Sequence, residues 1–124
     1  MFSDFFSFKK RETEEIPDVS NEALVILEGI PSEIKQILQK AQILEKKQLK
    51  EGDVRNRRDF CESALIEYQK AIDLVKEASK KHRKNKEFAQ QDIYDAQDLR
   101  IVDRMEYLES VLKGIKEMKR REAA

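Results

Sequence analysis

The stretch DFCESALIEYQKAIDLVKEA at residues 59–78 decides the fold. Phe60, Ala64, Leu65, Tyr68, Ala71, Ile72, Val75 and Ala78 recur three and four residues apart, the spacing that gathers side chains on one face of a helix. Asp59 stands where a helix cap belongs. Upstream, Ile34, Ile37, Leu38, Ala41, Leu44 and Leu49 repeat the pattern over residues 33–50, with Ser32 in cap position and Gly52-Asp53 as a stop. Residues 54–58, rich in Arg and Asn, read as a loop. Downstream, the pattern fades into KKHRKNK at residues 80–86, where Asn85 is the expected turn. It resumes over residues 87–119 with Tyr94, Ile101, Met105, Leu108, Leu112 and Ile115, widened by Leu99 and Val102. Gly114 weakens that helix by about 1 kcal/mol relative to Ala without ending it, and residues 120–124 are expected to fray.

Before the first long helix, a short one is expected at residues 21–28. Ser20 or Asn21 caps it and Gly29 ends it, ahead of a hinge at Ile30-Pro31-Ser32. No alternation of period two is long enough for a sheet. The fold class is therefore all-α: an antiparallel three-helix bundle over residues 32–119, with a short extra N-terminal helix and hinge at residues 20–30. Residues 1–19, which hold four of the six phenylalanines in their first eight positions, read as a flexible tail with a sticky end.

Composition agrees with this architecture and narrows the function. Charged residues make up 40% of the 124-residue chain while glycines number three and prolines two, a helix-forming balance. The 25 basic and 25 acidic residues cancel, so no global field exists to hold nucleic acid or an anionic membrane. Local bias survives: residues 1–31 carry three basic and seven acidic residues, and residues 32–58 carry eight basic and four acidic. With one cysteine no intramolecular disulfide can form, which suits a reducing compartment. No run approaches the roughly 20 apolar residues of a membrane span, and the start lacks a signal-peptide core. A cytoplasmic location is the expectation.

Enzymatic chemistry finds no support. The single histidine, His82, excludes any site needing two imidazoles. A Cys61–His82 nucleophile pair on one helix would be separated by roughly 31 Å. The isolated glycines build no phosphate-cradling loop, and no cofactor is expected. The acid pairs Asp92/Asp95 and Glu106/Glu109 read as solvated faces rather than cation ligands. Lys80, Lys81, Arg83, Lys84 and Lys86 form the densest basic cluster and are the candidates for contact with an anionic surface. No aromatic is interleaved there to stack bases, so a solvated helix end is the plainer reading. The Phe-rich start is expected to pack on the bundle, dock a partner or touch a membrane; Phe2, Phe5 and Phe6 share a helical face, but Asp4 interrupts it.

KEGD at residues 50–53, followed by DFCESALIEYQKAIDL at 59–74, resembles the middle of an MIT (microtubule interacting and trafficking) domain. Such domains turn with a glycine, then continue with an aromatic, small residues and a Tyr-x-x-Ala-Ile run. IVDRMEYL at residues 101–108 is similar to the family's third-helix signature, with Met105 in place of the usual alanine. The resemblance covers roughly residues 32–116; residues 54–58 look like an insertion in its first turn. Tetratricopeptide repeats share the Tyr-x-x-Ala-Ile pattern, but no second copy follows at their roughly 34-residue spacing.

The resemblance implies a non-catalytic module that captures the C-terminal tails of ESCRT-III-type proteins in an interhelical groove, in membrane trafficking or remodelling. Val102 would then supply apolar floor and Glu106 would pair with a basic residue on the tail, with Glu109 extending that charge one turn on. Leu65, Ile72 and Val75 are candidates for either groove wall or core, while Ile101, Met105 and Leu108 would face the core. Recruitment to endosomal or other membranes through the partner would follow. Modules of this kind sit in adaptors or beside an AAA ATPase, protease or kinase. Two other readings remain at this point: an ESCRT-III-like membrane-associated self-assembling protein, and a bundle that pairs with its own copy through Ile101, Leu108 and Ile115. Oligomeric state stays open.

Overall fold

The computed structural model describes residues 24–123. Three helices follow a non-helical lead-in that ends in a turn at residues 28–29: α1 (Ser32–Lys50), α2 (Val54–Lys84) and α3 (Phe88–Ala123). Nothing else regular occurs among the described residues, so the all-α bundle holds. At 1.5 Å per residue the helices run about 29, 47 and 54 Å, and none is long and apolar enough to cross a membrane.

Each helix buries a seam whose members alternate by three and four residues. The seams are Ile34, Leu38, Ala41, Glu45 and Gln48 on α1; Cys61, Ala64, Tyr68, Ala71 and Val75 on α2; and Tyr94, Gln97, Ile101, Arg104 and Leu108 on α3. That repeat is the one by which neighbouring helices interlock at a shallow angle. Leu38, Ile101 and Leu108 are fully buried, each contributing roughly 1.5–3 kcal/mol through removal from water. α2 is the central helix and both neighbours pack along it, while Glu45 of α1 and Arg104 of α3 meet in a buried ion pair.

Several local expectations need correction. Residues 54–58 are not a loop but the first turns of α2, which Asp53 caps: its carboxylate accepts from the Arg55 N–H at 2.8 Å and the Asn56 N–H at 3.4 Å. Asp59, expected to be the cap, is an exposed residue in the second turn. Those turns carry no apolar periodicity; Arg57 ties them down by donating to Gln48 Oε1 of α1 at 2.9 Å. Ser32 does not cap α1 either. Pro31 holds that position with no side-chain bond, and its carbonyl accepts the Lys35 N–H at 2.9 Å.

Residues 24–27 are not helical and Glu28 lies in a turn, in contrast to the short helix expected at 21–28; residues 21–23 and the Phe-rich tail lie outside the described residues. Asn85 does end α2. Glu87 N–H donates to the His82 carbonyl at 2.8 Å and Lys86 N–H to the Arg83 carbonyl at 3.0 Å, a Schellman closure that places Lys86 in the left-handed region at φ 60°. The usual glycine is absent at that position, which is why the turn is faint in the sequence. α3 passes through Gly114 and stays helical to Ala123 rather than fraying at residue 120.

Candidate functional site

Of the candidates singled out in the sequence, Leu65, Val102, Glu106 and Glu109 fall by helical spacing on the outer edge of the seam between α2 and α3. Ser79 Oγ donates to Asp95 Oδ1 at 2.5 Å, which fixes the antiparallel register of the two helices. Stepping one heptad at a time from that pair places Ile72 beside Val102, then Leu65 beside Glu109. Leu65 and Val102 are half-buried and rest on the core, while Glu106 and Glu109 are exposed. The outer edge of the seam is thus a shallow apolar strip beside carboxylates.

Two candidates do not fit that strip. Ile72 (4% exposed) and Val75 (0%) belong to the core, because their direction on α2 points between both neighbours; they cannot wall an open groove. Of the three expected to face inward, Ile101 and Leu108 do so fully, and Met105 is half-buried at the edge of the core.

Lys80, Lys81, Arg83, Lys84 and Lys86 are all exposed around the α2–α3 turn. Four of them occupy the last turns of α2, where the carbonyl end of the helix favours cations. His82 is held between them: its Nδ1 lies 2.9 Å from Glu87 Oε1 and its ring stacks on Tyr94 with centroids 5.3 Å apart. Beside this end a recess of about 360 Å³ opens between Pro31, Ile34, Leu74 and Tyr94, with Glu33, Glu77 and Lys81 at its rim.

Cys61 and His82 stand 21 positions apart on the unbroken α2. The thiol is fully buried, and burial pushes its pKa up to about 11, with Arg57 opposing and Glu45 and Glu62 adding to the rise. Such a thiol is protonated near neutral pH and is a poor nucleophile. No cluster of three or more His, Cys, Asp or Glu side chains able to hold a metal occurs among the described residues.

Apolar periodicity passes over the polar core. Glu45, Gln48, Gln97 and Arg104 are buried at seam positions. Tyr68 Oη donates to Glu45 Oε1 at 2.7 Å, the Arg104 guanidinium pairs with Glu45 Oε2, and Arg104 lies 4.8 Å over the Tyr107 ring. Burial and the Glu45 carboxylate together hold the Tyr68 phenol far above its ordinary pKa. Burial works against the Arg104 charge, and the hydrogen bond and charge of Glu45 outweigh it, so the guanidinium stays ionised. The signal for this network was the seam itself: continued by three and four from Ala41 and Ile101, it lands on Glu45, Gln48, Gln97 and Arg104.

Gln97 and Gln42 bind the lead-in. Leu27 N–H donates to Gln97 Oε1 at 2.8 Å, Gln97 Nε2 donates to the Val25 carbonyl at 3.2 Å, and Gln42 Nε2 donates to the Leu24 carbonyl at 2.5 Å. Residues 24–30 therefore lie between α1 and α3, with Leu24 and Ile30 buried and Ile26 and Leu27 half-buried. Compared with known proteins, the chain matches no family model, no curated protein and no solved structure.

Proposed function

We propose that this chain is a non-catalytic peptide-capture module of the MIT type, which binds C-terminal tail helices of ESCRT-III-type proteins along the α2–α3 seam and serves membrane trafficking or remodelling. One observation carries the reading: Val102 and Leu65 form a half-buried apolar strip beside the exposed carboxylates Glu106 and Glu109. An amphipathic helix laid along the strip gains apolar area from Val102 and Leu65 and sets its register by pairing basic residues with Glu106 and Glu109. The buried Ile72 and Val75 support the floor from beneath. Recruitment to a membrane then comes through the partner, aided by the basic cluster around Lys81 and Lys84. The cluster's exposed position at a helix end suits a weak, salt-sensitive contact with acidic headgroups.

The test is an NMR titration of the labelled protein with a panel of ESCRT-III C-terminal tail peptides. The expected result is shifts that cluster on Val102, Glu106, Glu109 and Leu65, lost in Val102→Asp while helicity by circular dichroism is retained. A flat response up to millimolar peptide overturns the reading.

A further inference from the structure

The 25 basic and 25 acidic residues cancel over the whole chain but not around the bundle. All five lysines of α1, Lys35, Lys40, Lys46, Lys47 and Lys50, are exposed, against one exposed carboxylate, Glu33, in its first turn. Helical spacing carries them, with Gln36 and Gln39, onto the side turned away from the buried seam. At the centre of that face stands Ile43, 56% exposed, with lysines three, four and seven positions further on. Lys40 reaches Glu67 of α2 at 3.8 Å and Lys47 lies over the Phe60 ring. Lys35, Lys46 and Lys50 meet no carboxylate among the described residues. At one end the α2–α3 turn continues the face, since Lys81 shares a recess with Pro31 and Glu33.

The third helix presents the reverse. Its outward Leu99 is 69% exposed, and the exposed Asp92, Asp95, Asp103 and Glu106 stand seven and four positions to either side of it. The two faces turn in different directions, so the bundle is polarised across its width. Against a negatively charged plane such a body has one favoured orientation, with α1 toward the plane and the carboxylates of α3 away from it.

We propose that the outward face of α1 binds the surface of an acidic lipid bilayer, with Ile43 dipped among the headgroups, and that the α2–α3 strip thereby faces away from the membrane. A bilayer suits this face better than a second copy does. The lysines of one copy and the carboxylates around Leu99 of another would form exposed ion pairs, each worth about fivefold at most and often nothing measurable. One isoleucine against one leucine adds little toward the roughly 800 Å² per partner of a stable interface. Acidic headgroups gather around each lysine without matched geometry, which multiplies partitioning about fivefold per residue. Nucleic acid is disfavoured because α1 has no aromatic residue on which a base could stack. Direct attachment goes beyond tail capture and stands if no tail helix binds.

The test places an environment-sensitive nitrobenzoxadiazole label at Ile43→Cys or at Leu99→Cys in the whole chain. The buried Cys61 of the unsubstituted protein serves as the blank. On adding vesicles of phosphatidylcholine with about 30% phosphatidylserine, the label at position 43 is expected to brighten about twofold or more and shift to the blue. The label at position 99 is expected to stay unchanged. Lys35→Glu combined with Lys46→Glu and Lys50→Glu is expected to weaken vesicle pelleting by about a hundredfold, with helicity retained and arginine at the same positions preserving it. Equal responses at 43 and 99, or none at either, overturn the proposal. So does undiminished pelleting of the folded glutamate variant, since the Phe-rich start would then carry the attachment. A response at 43 without lipid, with a dimer by light scattering, assigns the face to a second copy and overturns it as well. Tighter binding of single-stranded RNA than of vesicles at equal phosphate does the same. Should the glutamate variant not fold, the pair of labels on the otherwise native chain decides.

Discussion

Replacing Arg104 by leucine probes the bundle at its most constrained point. In the folded protein Glu45 is 5% exposed and its carboxylate has two partners, the Tyr68 hydroxyl and the Arg104 guanidinium. Arg104→Leu strips away the only cation of that group and leaves a desolvated carboxylate with a single neutral donor. Breaking a buried pair from one side costs about 3–5 kcal/mol, a large fraction of the roughly 5–15 kcal/mol that holds a domain together. Removing both charges is different. In the double variant Glu45→Leu with Arg104→Leu no charge is stranded, and the loss shrinks to that of the Tyr68 hydroxyl left without an acceptor, about 1–3 kcal/mol. The coupling between the two positions is therefore expected to exceed about 2 kcal/mol, with the double variant more stable than Arg104→Leu alone. Urea unfolding followed by circular dichroism at 222 nm measures each corner of the cycle. Single and double variants whose losses simply add, or an Arg104→Leu loss below about 1 kcal/mol, would refute the argument that the pair is desolvated.

Smaller perturbations check other parts of the structure. Asp53→Ala removes the cap of α2 and is expected to cost about 0.5–2 kcal/mol in urea unfolding, whereas Asp59→Ala is nearly neutral. Gly114 has open space where a Cβ would stand, so Gly114→Ala is expected to stabilise α3 by about 0.5–1 kcal/mol. Lys86→Gly relieves the left-handed conformation of the turn and is expected to raise the melting temperature by a few degrees, the gain being about 1 kcal/mol. Cys61 carries a pH signature. Because the folded pKa, about 11, lies above the ordinary 9.0, its contribution is intact below pH 9 and is lost between pH 9 and 11, by roughly 3 kcal/mol. Cys61→Ala should flatten that part of an alkaline stability curve, and the native thiol should react with a disulfide reagent at neutral pH only through opening of the bundle.

The helices were legible because apolar residues recur at their period, and α2 most clearly because its buried seam is Cys61, Ala64, Tyr68, Ala71 and Val75, with one hydroxyl in it. What escaped was polar. The first turns of α2 are held by the Asp53 carboxylate and by Arg57 on Gln48, none of which registers in a hydrophobic pattern. The position of residues 24–27 escaped because Leu24, Val25, Ile26 and Leu27 read as well for a helix as for a non-helical segment; Gln97, seventy residues beyond Leu27, binds them in the non-helical form. On the candidate strip, the resemblance pointed to Val102 and Glu106, and spacing added Glu109 one turn on. Separating Leu65 from Ile72 and Val75 needed the positions of both neighbours of α2, which one helix's periodicity does not contain.

The central place of α2 has a consequence for the order in which the chain acquires its shape. Contacts along α1–α2 and α2–α3 join neighbours in sequence through short connections, the kind that close quickly. The tie between the outer helices, Arg104 to Glu45, spans 59 residues, and the tie of the lead-in to α3, Leu27 to Gln97, spans 70. During synthesis the lead-in and α1 emerge before α3, which carries Gln97 and Arg104, the partners of the lead-in and of Glu45. Glu45 therefore lacks its cationic partner until Arg104 arrives, and residues 24–27 are fixed only once α3 supplies Gln97.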